Sequence, residues 1–276
     1  MPNFGYHFAR AQGAAVRRIY AASLPALVRR KIIPSRNVPF DVFAYSSEAD
    51  LPEQVASIRS FLRFAGRPLR FTVVSDGTHS PRSLSLLESI DHSVQVRHAQ
   101  DFCSRSEPYF ADHPTGKQLA LIMSLPSDGP ALYFDSDVLF FPGASRLSNL
   151  KSASAAYLPD CQLAADERLF RAEAERQNPV NTGVLFLPEK LDWSLSLQRL
   201  SELKGAPTFF TNQTMTHLAM HAAGALPFDP TAFILQLDDQ FVYADHHAKS
   251  GLALRHYVRP VRHKFWTTLA NFRWNP

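Results

Sequence analysis

Cysteine is scarce in this sequence, and long apolar runs are missing. Its 276 residues include two cysteines, Cys103 and Cys161, too few for the disulfide framework of many small secreted domains. No run approaches the ~18 apolar residues that span a bilayer. The best candidate, Ile19–Val28, contains Pro25 and is followed directly by basic residues. We therefore expect two reduced thiols and a cytoplasmic protein.

Acidic residues are absent from the first 40 positions. That segment holds seven of the 29 basic residues, so the rest of the chain, with 22 basic and 25 acidic residues, has a formal net charge of −3. The basic character therefore belongs to a leader, which argues against a nucleic-acid-binding protein. We interpret residues 1–38 as a basic helical extension and residues 39–276 as one domain.

The basic leader allows two interpretations. Between Arg17 and Lys31, basic and apolar residues are mixed, so this stretch could lie peripherally on anionic lipid at the inner membrane face. Pro25 is expected to interrupt any long helix there. The commoner alternative is a solvated helix that packs on the following domain.

The body of the chain alternates apolar runs with helix-period segments. Predicted strands lie at 40–45, 71–74, 94–96 and 131–134, and predicted helices lie at 51–62, 84–90 and 115–125. This alternation is typical of the α/β class, with a mostly parallel central sheet flanked by helices. The second half is less regular: we expect strands at 180–187 and 253–258, a helix at 209–223, near alternation at 233–243 and a short C-terminal helix.

Two aspartates, Asp135 and Asp137, flank Ser136 between two apolar runs. Ionised carboxylates beside a core lose hydration, and a divalent cation would remove that cost. Oxygen ligands at a strand end suit Mg²⁺ or Mn²⁺. A turn with two solvated aspartates is the plain alternative. A third interpretation is the nucleophile loop of haloacid-dehalogenase-like phosphatases, in which the first carboxylate attacks phosphorus.

Small polar residues occur at two later places. The first is the triplet Asn181-Thr182-Gly183 at the start of a predicted apolar strand. The glycine lets the backbone approach a ligand closely, and the side-chain amide of Asn181 can both donate and accept hydrogen bonds. Asn212 and Gln213 open a helix-like segment. Simple turn formation and helix capping explain the two motifs equally well when each is taken alone.

The last polar motif contains His256 and Lys264. A neutral imidazole could complete a metal site with the carboxylates, and a lysine could neutralise phosphate charge. A histidine after a strand is also commonly a hydrogen-bonded structural residue.

In their order along the chain, these motifs resemble the metal-dependent glycosyltransferases of the GT-A fold, above all the family-8 enzymes (glycogenin and galactosyltransferase-like). The resemblance spans roughly residues 40–270. It implies a hexosyltransferase that uses Mn²⁺ or Mg²⁺ to move a sugar from a nucleotide-diphosphate sugar, a UDP-sugar first of all, to a hydroxyl of a glycan, lipid-linked or protein acceptor. It also implies retention of anomeric configuration.

The resemblance assigns roles to individual residues. The metal ligands would be Asp135, Asp137 and His256; the donor-binding residues would be Asp135, Ser136, Asn181, Thr182, Gly183 and Lys264; and the catalytic groups near the sugar would be Gln213, Asn212 and Asp160.

This sequence departs from the family pattern at two points. Asn212 stands where many relatives have an aspartate, so we expect front-face substitution, with Asp160 as the nucleophile of an alternative covalent route. His256 and Lys264 are eight positions apart, where six is usual, and Arg259 or Arg262 could share the phosphate role.

The pocket for the nucleotide base is predicted from single residues. Tyr45 at the end of the first strand could stack on the base, and Asp76 could contact the base or the ribose. Lys117 opens the helix before the aspartate pair and could approach a phosphate or a sugar. Each of these three residues has an equally good structural explanation.

Two further functions compete with sugar transfer. One is a phosphohydrolase in which Asp135 is the nucleophile and Asp137 the acid. The other is a non-catalytic protein that binds a nucleotide sugar or carbohydrate.

Overall fold

The computed structural model describes residues 3–103, 107–152 and 154–271. Ten strands are found in these ranges: β1 (Asp41–Ser46), β2 (Phe71–Ser75), β3 (Val94–His98), β4 (Ala131–Asp135), β5 (Val138–Phe140), β6 (Ala156–Pro159), β7 (Val180–Leu187), β8 (Leu226–Pro227), β9 (Phe233–Ile234) and β10 (Leu254–His256). The same ranges contain eight α-helices: α1 (Phe4–Leu27), α2 (Leu51–Phe64), α3 (Pro81–Glu88), α4 (Pro108–Asp112), α5 (Pro114–Ser124), α6 (Ser194–Ser201), α7 (Thr211–Ala222) and α8 (Arg262–Asn271).

A seven-stranded central sheet has the order β3-β2-β1-β4-β7-β6-β8. Its first four strands are parallel, β7 is antiparallel to β4 and to β6, and β8 is parallel to β6. A second sheet has the order β5-β10-β9. The α/β class and the mostly parallel sheet predicted from the sequence are confirmed.

Apolar side chains cover the central sheet on both faces. In β4, Leu132 and Phe134 pack into one core while Ala131 and Tyr133 pack into another, since successive side chains of a strand point to opposite faces. This is why the parallel strands are continuous apolar runs.

Some predicted elements differ from the structure. In the segment 233–243, only Phe233–Ile234 forms a strand; the rest is irregular and holds the buried carboxylate of Asp239. The sequence reading also missed β6, whose four residues are too few for a clear period.

The basic leader forms the 24-residue helix α1. Its first turn is capped by the Asn3 side chain, which accepts a hydrogen bond from the Tyr6 N–H at 3.0 Å. Contrary to expectation, Pro25 does not end the helix, which continues to Leu27; the missing proline N–H costs one backbone hydrogen bond in the last turn. The helix packs on α8, and a Cβ on Gly13 would lie 2.6 Å from the carbonyl oxygen of His263. None of the helices in the described ranges is long and apolar enough to span a membrane.

Candidate active site

The turn between β4 and β5 brings the two aspartates to the edge of the central sheet. β4 ends at Asp135, and β5 then pairs antiparallel with β10, so that Val138 lies opposite His256. The Tyr257 N–H also donates to the Asp137 carbonyl at 3.0 Å. This pairing brings together residues that are more than a hundred positions apart in the sequence.

Asp135, Asp137 and His256 offer ligand atoms that all lie within 4.8 Å of one another. Nε2 of His256 is 3.0 Å from Oδ1 of Asp137 and 3.7 Å from Oδ2 of Asp135. Two carboxylates and one imidazole are a donor set that suits Mn²⁺ or Mg²⁺. These three residues, which were predicted from the sequence to be metal ligands, are therefore close enough together to hold one ion.

The Asn181 side chain orients the His256 ring. Its Oδ1 accepts the Gly183 N–H at 2.9 Å, and its Nδ2 donates to the Asp160 carboxylate at 2.9 Å, which fixes the amide orientation. The same Oδ1 is 2.9 Å from Nδ1 of His256, so Nδ1 must carry the proton. In a neutral ring the lone pair is then on Nε2, which faces the two carboxylates.

Gly183 lies directly against this ring and is buried in β7. The sequence predicts that Gly183 lines a sugar pocket. Close packing on the imidazole is a second reason for glycine at this position. Its neighbour Thr182 lines the cleft, as does Ser136.

Asp135 is held by groups that the sequence reading did not single out. Its Oδ1 accepts hydrogen bonds from the Tyr133 hydroxyl at 2.7 Å and from Gln118 Nε2 at 2.9 Å. Gln118 Oε1 in turn accepts from Nδ2 of Asn212 at 2.8 Å. The signal that could have found Gln118 is its place on α5, next to Lys117, where a polar residue interrupts the buried face of the helix.

Arg262 lies at the cleft, beside the acidic pair. Its guanidinium donates to the carboxylates of Asp137 and Asp50. It lines the cleft together with Arg259.

The structure does not place Lys264 in the cleft. Its side chain is fully buried, and Nζ donates to the carbonyl oxygens of Val242, at 2.9 Å, and Ala244, at 2.5 Å. Nζ is also 3.6 Å from the buried carboxylate of Asp239. Because Arg262 and Lys264 are two positions apart at the start of a helix, their side chains point in different directions.

Asp160 and Gln213 both line the cleft and meet there. Asp160 Oδ2 accepts hydrogen bonds from Asn181 Nδ2 at 2.9 Å and from Gln213 Nε2 at 3.1 Å. Gln213 Nε2 also donates to the Ala164 carbonyl at 3.0 Å. Both donor protons of this amide are used, and its carbonyl oxygen is the group that remains for a ligand.

The three residues predicted for the base pocket are separated. Tyr45 lines the same cleft as the aspartates, and its buried hydroxyl has no hydrogen-bond partner among the described residues. Asp76 and Lys117 instead line a neighbouring cavity of about 290 Å³ beyond the ends of β2 and β3. Asp76 Oδ1 accepts from the Thr78 N–H at 2.9 Å, which is the bonding of an ordinary Asx turn.

The pKa values of the two aspartates are shifted in opposite directions. Burial opposes ionisation of Asp137, but His256 and Arg262 outweigh it and hold its pKa well below the usual range. Burial raises the pKa of Asp135, with a further contribution from the Asp137 charge. Burial alone would lower the pKa of His256, yet Asp137 and Asp135 reverse the effect and raise it.

The cleft has a cavity volume of about 480 Å³, within the usual range for small-molecule sites. Its walls combine charged, amide and aromatic side chains. Besides the residues described above, they include Gln162, Phe209, Phe210, Leu235 and Leu237.

No protein-family model matches this chain, and no curated protein sequence matches it significantly. Several solved structures, in contrast, are similar to this chain. A galactosyltransferase, LgtC, in complex with donor and acceptor sugar analogues has a TM-score of 0.59 at 14% identity and covers 86% of this chain and 98% of its own.

Two further enzyme structures are similar. For mouse xyloside xylosyltransferase 1 the TM-score is 0.54 at 14% identity, with 81% of this chain and 99% of that chain covered. For the glycosyltransferase GlyE of Streptococcus pneumoniae the TM-score is 0.54 at 13% identity, with 84% of this chain and 60% of that chain covered. The predicted GT-A fold is confirmed.

Proposed function

We propose that this protein is a metal-dependent glycosyltransferase that uses a nucleotide-diphosphate sugar. The observation that carries the proposal is the convergence of Asp135, Asp137 and His256 at the carboxyl end of β4. Ligands of open α/β sheets bind at such strand ends. The glycosyltransferase structures that share the fold support the same activity.

Asp135, Asp137 and His256 would hold a Mn²⁺ or Mg²⁺ ion. Asn181 supports this role, because it keeps the proton of His256 on Nδ1. When bound, such an ion offsets the negative charge that develops on the leaving nucleoside diphosphate.

Arg262 is the residue that we assign to the donor diphosphate, in place of Lys264. Its guanidinium lies beside Asp137 at the cleft, and its planar fork suits phosphate oxygens. Tyr45 lines the same cleft, and in this proposal it stacks on the base or donates its hydroxyl, which has no partner among the described residues. Asp76 and Lys117 line a separate cavity. They would belong to the donor site only if the bound nucleotide extended from the cleft into that cavity.

Retention follows in this proposal from front-face substitution. Asp160 already accepts hydrogen bonds from two amides, which weakens a carboxylate as a nucleophile. Gln213 would present its carbonyl oxygen to the sugar, where it can stabilise an oxocarbenium-like carbon. Asn212 also lines the cleft, and we assign it a positioning role, because its Nδ2 donates to Gln118, which in turn donates to Asp135.

A peripheral membrane contact is part of the proposal. Phe4 and Phe8 on α1 are 77% and 63% exposed, and Phe241, whose ring contacts Tyr6 of α1, is 57% exposed. Exposed aromatic side chains on a helix without acidic residues suit an anionic lipid surface, where a lipid-linked acceptor would be found. We predict a cytoplasmic location, in keeping with a chain that has only two cysteines.

Release of nucleoside diphosphate from a panel of nucleotide sugars tests the function. The full chain is incubated with Mn²⁺, each donor and a set of glycan acceptors, and we expect turnover with at least one UDP-sugar. Asp137→Asn should reduce it ~100-fold, since it replaces an anionic metal ligand by a neutral amide. Asp238→Asn, the same substitution at an exposed aspartate outside the cleft, serves as the matched control.

Two outcomes would contradict the proposal. Release of inorganic phosphate from small phosphomonoesters, lost in Asp135→Asn, would identify a phosphohydrolase. Binding of a nucleotide sugar by the wild type and by Asp137→Asn, with no turnover by either, would identify a binding protein.

A further inference from the structure

A second cavity lies between α1 and α8, beside the cleft. It has a volume of about 390 Å³ and is called the α1 cavity below. Four arginines and one glutamate contribute to its wall: Arg10, Arg17, Arg259, Arg262 and Glu53. The excess of positive charge makes it suited to an anion.

The one acidic group of the α1 cavity is already neutralised. Glu53 accepts hydrogen bonds from Arg17 Nε at 2.6 Å and Nη2 at 2.9 Å, and from Trp266 Nε1 at 3.1 Å. Arg10 and Arg259, in contrast, have no carboxylate within ion-pair distance among the residues that the structure describes. Their charges remain available to a ligand.

Two residues that line the cavity also carry a buried polar atom without a partner in the described part of the chain: Nε of Arg262 and Nε2 of His263. A buried N–H that makes no hydrogen bond is costly, so such groups commonly mark the place of a ligand or an ordered water. Arg10 is held above the cavity by the Tyr6 side chain, whose ring centroid is 5.5 Å from the guanidinium carbon.

The α1 cavity and the cleft meet at one segment. Arg259, Pro260 and Arg262 line both of them, whereas the predicted metal ligands line only the cleft. An anion in the α1 cavity would therefore share the Arg259–Arg262 segment with a donor diphosphate in the cleft, without contacting the predicted metal ligands.

We propose that the α1 cavity binds a phosphate group carried by the acceptor, through Arg10 and Arg259. This inference rests on the proposed function and adds to it the class of acceptor, a phosphorylated glycan. The phosphate could belong to a soluble sugar phosphate or to the phosphate that joins a glycan to a lipid. α1 would then complete the acceptor site, in addition to packing on α8.

Binding of inorganic phosphate to the full chain tests the site without metal or nucleotide. We expect isothermal titration calorimetry to give an affinity that falls about tenfold or more in Arg10→Ala and in Arg259→Ala, since each loses a charge-assisted contact. Arg18→Ala removes the same charge from an exposed position of α1 that does not line the cavity, and should bind phosphate like the wild type. An equal loss of phosphate affinity in all three variants, or no loss in any of them, would overturn the site.

Turnover tests the assignment to the acceptor. Acceptors are compared with and without a phosphate ester, one pair as free sugars and one pair linked to lipid in detergent. We expect a preference of about tenfold or more in kcat/KM for the phosphorylated member of at least one pair, lost in Arg10→Ala and kept in Arg18→Ala. Turnover without this preference would overturn the acceptor class. If no donor is turned over at all, the proposed function fails, while the phosphate titration still decides whether the site exists.

Discussion

A Cβ atom on Gly183 would lie 2.1 Å from Cε1 and 2.5 Å from Nδ1 of His256. The ring cannot move aside easily, because Asn181 and Asp137 hold its two nitrogens. Glycine at this position is therefore a condition for the imidazole to face the carboxylates. The relationship joins β7 to β10, two strands that belong to different sheets.

Gly183→Ala should displace the His256 ring and weaken Mn²⁺ binding about tenfold or more, the usual cost of disturbing the support of a metal ligand. Isothermal titration calorimetry with Mn²⁺ measures the effect. Gly251→Ala is the matched control, because a Cβ there meets no atom within 4 Å. If both variants bind Mn²⁺ like the wild type, the ring is not held as the structure indicates.

Stability without metal should depend on the protonation of His256, whose pKa is raised in the folded state. A raised pKa means that the protonated ring stabilises the fold fully below its unfolded pKa of about 6.5, and that this contribution is lost as pH rises through the folded value. We expect the Tm difference between the wild type and His256→Gln, measured with a chelator, to shrink as pH rises above about 6.5.

Mn²⁺ should act in the opposite direction, since it requires a neutral imidazole. The Tm increase that Mn²⁺ gives the wild type should therefore grow over the same pH range and be small in His256→Gln. A Mn²⁺ effect that does not change with pH would show that His256 is not a ligand.

Arg262→Ala should weaken binding of the nucleoside diphosphate about tenfold or more, because it removes a charged donor from the cleft. The fold should be retained, since the side chain is partly exposed. Titration with UDP in the presence of Mn²⁺ measures the effect. Arg262→Lys, which keeps the charge and loses the planar fork, should recover part of it. Unchanged affinity in Arg262→Ala would remove Arg262 from the donor site.

Lys264→Met should instead reduce stability. The carbonyls of Val242 and Ala244 would lose their buried donor, and we expect the free energy of unfolding to fall by about 2 kcal/mol. Urea denaturation measures this loss, and the KM for the donor at a permissive temperature should change little. A raised KM without loss of stability would support the role that the family resemblance gave to Lys264.

Much of the site could be predicted because its residues lie at strand ends and helix starts. Asp135 and Asp137 interrupt two apolar runs, which gives a strong local signal, and His256 is the last residue of the short strand β10. The polar interruption of α5 at Gln118 is only a weak signal, because the sequence does not say whether that position faces solvent or the carboxylate of Asp135. Lys264 was placed wrongly because sequence spacing says nothing about which side of α8 faces the cleft.

The sequence by itself determined the alternation of strands and helices, the separation of a basic leader from an acidic body and the acidic pair at a strand end, since all three depend on local composition and period. Only the tertiary structure decided that β5 pairs with β10, that Arg262 and not Lys264 faces the acidic pair, and that α1 closes a basic cavity beside the cleft. These relationships depend on the packing of segments that are distant in the chain, and no local pattern encodes them.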